Sequence, residues 1–247
     1  MPQKPSYYSR SDLVMGMVGA GHWWTNKQIQ LMTRGKFTAR HTPTERVLKR
    51  KSDAGLLRTA WYGKTKIYGL ASKTKNVNLE DTSKIYHELC STETMIRFWF
   101  SRRDGELVPE HRFRGCGSVP DWGIRYPNKK MICAEFSTAD NVKQRLKSKV
   151  TKYQSDLREI EEKFDAEGIV VFILDVPRSE VRDFVGRMNG MSAPTAASTP
   201  PSSDGDRFPF LPFYFVDYDT LLSVPLGEAL RAPIYFANDG KEYPLSK

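Results

Sequence analysis

Apolar residues recur every third or fourth position from Val142 through Leu146, Val150, Tyr153, Leu157 and Ile160 to Phe164. That spacing predicts one long helix with a single buried stripe. Ahead of it, Val119 to Tyr126 and Lys130 to Phe136 are rich in β-formers and meet at Tyr126, Pro127, Asn128 and Lys129, a turn composition that predicts a hairpin. Behind it, the unbroken apolar run Ile169 to Val176 predicts a strand covered on both faces. Leu107 to Arg114 fits the first strand of the same sheet, Phe213 to Asp217 a further buried strand, and Pro233 to Ala237 a last edge strand. Ser83 to Phe100, with Ile85, Leu89, Ile96 and Phe100 on one side, predicts a helix before the sheet, and Ser179 to Met188 a short helix within it.

The N-terminal part has a different rhythm. Ser11 caps an apolar segment, Asp12 to Ala20; Thr25 caps a second helix ending near Thr33; Thr42, Pro43 and Glu45 open a third that stops at Gly55. Two β-runs, Leu56 to Trp61 and Lys66 to Leu70, flank the turn Tyr62-Gly63-Lys64-Thr65. Three helices followed by a hairpin predict a winged helix-turn-helix over residues 1–79, with residues 80–247 as a second, α/β domain of the α+β kind. Residues 189–206, rich in Ala, Ser, Thr, Pro and Gly without a packing pattern, predict a flexible surface insertion.

Charge sharpens this division. Residues 1–79 carry fifteen Lys and Arg against three Asp and Glu, a balance of +12, whereas the remainder carries 23 against 26. A basic block of that size in a folded domain points to a polyanion, with double-stranded DNA the first choice. Arg40, Arg46, Lys49 and Arg50 then approach the major groove, while Lys64 and Lys66 touch phosphate or the minor groove. The competing reading is a protein-docking winged helix with a solvated basic face. No apolar run approaches 18 residues and the N-terminus lacks an apolar signal core, so a cytoplasmic protein without a membrane partner is expected. Cys90, Cys116 and Cys133 are too widely spaced for a zinc site or a disulfide framework and are expected as free, buried thiols.

The candidate chemistry lies in the hairpin before the long helix. Strand alternation puts Met131, Cys133, Glu135 and Ser137 on one face, leaving Glu135 a carboxylate in an apolar strand. Such a group is costly unless paired, exposed or bound to a cation. Asp121 on the partner strand is placed to face it, and two converging carboxylates suit Mg²⁺ or Mn²⁺, with the Ala134 or Phe136 backbone carbonyl as a further candidate ligand. At about 100° per residue, Lys149 lies about 60° from the centre of the helix's apolar stripe and Lys152 about 120°, so Lys149 is the better placed to reach the pair. Glu110 is a possible third carboxylate or the partner of Arg112 or Arg114, and His87 reads as a packing or capping residue.

The order of these strands and helices, with Pro120-Asp121 on one strand and Glu135 on the next, resembles the PD-(D/E)XK nuclease superfamily. The chain as a whole resembles the replication-relaxation family of plasmids and mobile elements, in which a winged helix precedes such a domain. The resemblance implies a restriction-endonuclease-like mixed sheet flanked by helices, with Asp121 and Glu135 as metal ligands and, more weakly, Glu88 as the acidic residue of the first helix. It also implies a lysine two residues after the glutamate, where this chain has Ser137; Lys149, Lys152 and Tyr153 match the alternative in which the lysine sits on the following helix. The function implied is a Mg²⁺-dependent endonuclease, working as a homodimer or with a replication or transposition partner. The rival is a catalytically inactive DNA-binding factor controlling replication or copy number. A transposase endonuclease subunit would usually carry the two domains in the opposite order.

Overall fold

The computed structural model describes residues 14–16, 18–19, 23–33, 44–75, 77–192 and 212–246. The fold is mixed α/β, with two sheets, and divides into two compact units, Met1–Ile96 and Arg97–Lys247.

In the first unit, β1 (Trp24–Thr25), β2 (Leu57–Tyr62) and β3 (Thr65–Leu70) form an antiparallel sheet in the order β1-β3-β2. Thr25 opens α1 (Asn26–Thr33) with a reciprocal cap: Gln28 N–H donates to Thr25 Oγ1 at 3.1 Å, and Thr25 N–H donates to Gln28 Oε1 at 2.9 Å. Helix α2 (Thr44–Asp53) buries Val47 and Leu48. The β2–β3 hairpin closes through Gly63 and Lys64, and Gly63 takes φ +56°, the conformation wanted at the first position of a two-residue loop. A short helix, α3 (Ala71–Thr74), follows within the stretch expected as a plain connection. One face of the hairpin packs Ala60 and Ile67 with Trp23 and with Ile85 and Leu89 of α4 (Thr82–Ser101). The division between units therefore falls inside α4, beyond the 79/80 boundary that the composition suggests. Asp12, Leu13, Met17 and Ala20 of the expected first helix, its Ser11 cap, the Thr42-Pro43 start and residues 193–206 of the expected insertion lie outside the described residues, while Val14, Met15, Gly16 and Val18 are helical.

The second unit is built on seven strands in the order β10-β9-β8-β7-β6-β5-β4. These are β4 (Glu106–Pro109), β5 (Trp122–Arg125), β6 (Lys130–Thr138), β7 (Glu167–Asp175), β8 (Phe213–Asp217), β9 (Ile234–Phe236) and β10 (Glu242–Tyr243). Strands β6, β7 and β8 are parallel, linked through α5 (Ala139–Phe164) and α6 (Arg178–Ser192). Both helices bury Leu146, Val150, Val181 and Val185 against the face bearing Cys133, Phe172 and Phe215. The other face is buried as well, with Phe98 of α4 on Trp122 and Tyr218 of α7 (Tyr218–Ser223) on Phe136. That two-sided covering is why β7 reads as an unbroken apolar run.

Three expectations change in detail. The first strand ends at Pro109, which has no N–H to extend the ladder, and Glu110–Phe113 turn into a 3₁₀ helix that sinks Phe113 into the core. Glu110 therefore leaves the strand and is exposed, and Arg112 pairs with Glu106 at 2.7 Å. Residues 189–192, expected in the insertion, continue α6. Beyond β9 the chain turns back, so the edge position passes to β10.

Candidate functional site

Asp121 precedes β5, and its N–H donates to the Ala134 carbonyl at 3.0 Å, continuing the β5–β6 ladder by one residue. The Ala134 carbonyl proposed as a ligand is thus engaged in the sheet. Asp121 Oδ2 accepts from the Phe136 N–H at 2.7 Å, fixing the carboxylate over the strand that carries Glu135. Glu135 is only 5% exposed. Its Oε2 accepts from Lys149 Nζ at 2.6 Å and its Oε1 from the Tyr153 hydroxyl at 2.7 Å. Lys149 and Tyr153 are one turn apart on α5, so a single packed helix face supplies both donors. Lys152 is exposed on another side of the helix.

Six residues of α5 are buried, from Leu146 to Phe164. At roughly 1.5–3 kcal/mol for each large apolar side chain removed from water, their packing outweighs any single polar contact and sets where Lys149 and Tyr153 must sit. The same helix grips the loop that delivers Asp121. Lys163 Nζ donates to the Arg114 carbonyl at 2.6 Å, Glu159 Oε2 accepts from Gly117 N–H at 2.8 Å, and Asp156 Oδ2 accepts from Ser118 Oγ at 2.8 Å. A Cβ on Gly117 would come within 2.6 Å of the Asp156 carboxyl, so the close approach requires glycine or a shift of that side chain.

Electrostatically the pair is short of positive charge. Burial first, then the neighbouring Asp121 carboxylate, push Glu135 up from 4.5 to about 7, outweighing the opposite pull of Lys149 and the Tyr153 hydroxyl. Lys149 is itself raised: its burial works against the charged form, but Glu135 and then Asp121 overcome that. Burial and the Glu135 carboxylate together raise the Tyr153 phenol well above its ordinary value, so it stays a hydrogen-bond donor. Ser137 lies on the Glu135 face of β6, 1% exposed, and its Oγ is buried without a hydrogen-bond partner. Access is through Lys149, whose side chain keeps 33% of its surface in solvent, and the half-buried Asp121. The first half of α5 adds charge here, with Lys143, Arg145, Lys147, Lys149 and Lys152 against Asp140 alone; beyond Tyr153 the helix turns acidic.

No family model matches the chain, and no curated protein matches it either.

Asp121, Glu135 and Lys149 are therefore brought together, and Tyr153, which the periodicity marks only as core, joins them. The resemblance already sets it beside Lys149 and Lys152, and the second signal is a tyrosine inside an apolar stripe, since a buried hydroxyl needs a partner. Glu88 is half-buried on α4 within the first unit, as is His87. Among the described residues no group of three or more His, Cys, Asp or Glu side chains is placed to hold a metal ion, so the candidate donors are the two carboxylates. Of the expected DNA contacts, Arg46, Lys49 and Arg50 are exposed on α2, Lys49 pairing with Asp53 at 3.0 Å. Lys64 and Lys66 are exposed on the β2–β3 hairpin. Arg40 lies outside the described residues. The three cysteines are buried thiols outside any disulfide, and no helix among the described residues is long and apolar enough to cross a membrane.

Proposed function

We propose that the chain is a DNA-binding protein whose second unit works as a divalent-metal-dependent endonuclease of the PD-(D/E)XK kind, with the first unit as its winged helix. This is the architecture of the replication-relaxation family that the sequence resembles. The observation that carries the reading is the convergence of Asp121 and Glu135 across the β5–β6 hairpin with Lys149 2.6 Å from Glu135.

The donor set suits Mg²⁺ or Mn²⁺. Two hard-oxygen ligands share a buried position where Glu135 holds excess proton affinity, and the orphaned Ser137 Oγ stands two residues along the same strand face. Asp121 and Glu135 would hold the ion, which when bound polarises a phosphate and lowers the pKa of a coordinated water. Tyr153 fixes the plane of the Glu135 carboxylate, and the Phe136 N–H fixes Asp121. Lys149 turns its charge to the phosphate and stabilises negative charge developing there. The basic half of α5 draws the backbone of the nucleic acid toward this side, and Arg46, Lys49, Arg50, Lys64 and Lys66 hold the duplex.

The second reading, a DNA-binding replication or copy-control factor without catalysis, is favoured by two features: both Glu135 oxygens already have donors within the chain, and Ser137 stands where the superfamily has lysine. Calorimetric titration of Mn²⁺ into the parent and Glu135→Ala, with supercoiled-plasmid nicking on the same samples, separates the two. Binding and nicking that both vanish in the variant are expected. No Mn²⁺ binding in the parent would overturn the nuclease and leave the second reading.

A further inference from the structure

Trp61 is 67% exposed, the largest and most exposed apolar side chain of the chain's described surface. It stands one residue before the end of β2, directly across from Lys66 and near the loop residues Gly63 and Lys64, both exposed. Solitary surface apolar residues are common and need no explanation, but a bare indole framed by cations is a different object. Lys66 does not cover it: its ammonium lies over the Tyr68 ring, 5.7 Å from the centroid. Strand alternation puts Thr59 and Trp61 of β2 on one face with their partners Tyr68 and Lys66, opposite the face that packs Ala60 and Ile67 into the core. Leu57 and Tyr68 of the Trp61 face are buried, whereas Trp61 and Lys66 toward its other end are exposed. The same unit exposes Arg46, Lys49 and Arg50 on α2.

We propose that Trp61 is a stacking platform for an unpaired base of DNA, with Lys64 and Lys66 holding the flanking phosphates. This rests on the DNA-binding reading and narrows it: the preferred substrate carries a single-stranded segment beside the duplex, as at a tail, a nick or a branch. An indole offers every base a π-face without reading its edge, and neighbouring lysines supply the salt-dependent part of the affinity. Insertion of the side chain between paired bases is the less favourable alternative, because it must first unstack them.

The test is fluorescence anisotropy on three labelled DNAs, a single strand, a blunt duplex and the same duplex with a single-stranded tail, using the full chain. Trp61→Ala is expected to weaken binding of the strand and of the tailed duplex about tenfold, equal to about 1.4 kcal/mol, with blunt-duplex affinity and the salt slope unchanged. Trp61→Phe should keep most of the affinity, and thermal melts should match the parent because the side chain is exposed. Equal losses on blunt and tailed duplexes would assign Trp61 to a duplex wedge and overturn the proposal. A parent that binds DNA while Trp61→Ala binds every probe as well would overturn the stacking site alone. A parent that binds none of the three overturns the DNA-binding reading with it.

Discussion

Lys64 and Lys66 of the β2–β3 hairpin and Arg46, Lys49 and Arg50 of α2 stand in water, whereas the charges at Glu135 are enclosed between β6 and α5. In the first region each lysine is screened, replaceable and nearly independent of its neighbours, so its worth lies in attracting a partner rather than in holding the fold. In the second, a carboxylate, an ammonium and a phenol depend on one another, since removing one leaves another buried without its counterpart. The same residue types thus answer to different variables, ionic strength in one place and pH in the other.

The sharpest way to break that contrast is Lys149→Met. It strips Glu135 of its cation and should destabilise the protein by about 3 kcal/mol at pH 8, read by urea denaturation. The cost should shrink at pH 5, where Glu135 is protonated, and Lys149→Met with Glu135→Gln should recover much of it. Equal cost at both pH values would mean that Glu135 is not the group left unpaired.

Of similar size is the pH dependence of the metal-free parent. Glu135 has a folded value of about 7 against 4.5 ordinarily, so it binds its proton more tightly when folded. Its contribution is therefore fully present below pH 4.5 and is lost as pH rises to about 7, a decline of roughly 3 kcal/mol from this group. Glu135→Gln should flatten that part of the profile. A parent whose stability rises over this window with no such difference from the variant would contradict the burial argument.

Tyr153→Phe removes one donor from a buried carboxylate oxygen and should cost about 1–2 kcal/mol, with a larger proportional effect on Mn²⁺ binding than a distant core change of equal cost. Smallest in stability is Lys64→Ala with Lys66→Ala, expected within about 0.5 kcal/mol of the parent. Its DNA affinity should fall, and its salt slope should decrease by about one for each phosphate that is no longer neutralised. A large stability loss there would place these lysines in the fold and blur the comparison.

The fold was readable where burial imposes a period. The stripe from Val142 to Phe164 became α5, the run from Ile169 became β7, and the Thr25 cap opened α1, because each rests on local geometry and one-sided burial. Within the candidate site, the placement of Asp121 beside the strand of Glu135 and the reach of Lys149 to Glu135 were readable from strand alternation and helix phase. Glu110 was misplaced because Pro109 and the pull of Phe113 into the core decide where the strand ends.

The sequence by itself determined that a carboxylate would lie in an apolar strand, that a lysine one helix later would be angled toward it, and that the basic charge would gather before residue 80. Only the tertiary structure decided that Tyr153 is a hydrogen-bond donor as well as core, and that Asp156, Glu159 and Lys163 clamp the loop ahead of Asp121. It also decided that β8 joins β7 in parallel while β9 and β10 close the far edge. Periodicity records which side of an element is buried, but which atoms meet there depends on how separate elements are brought into register, a long-range outcome that no local pattern encodes.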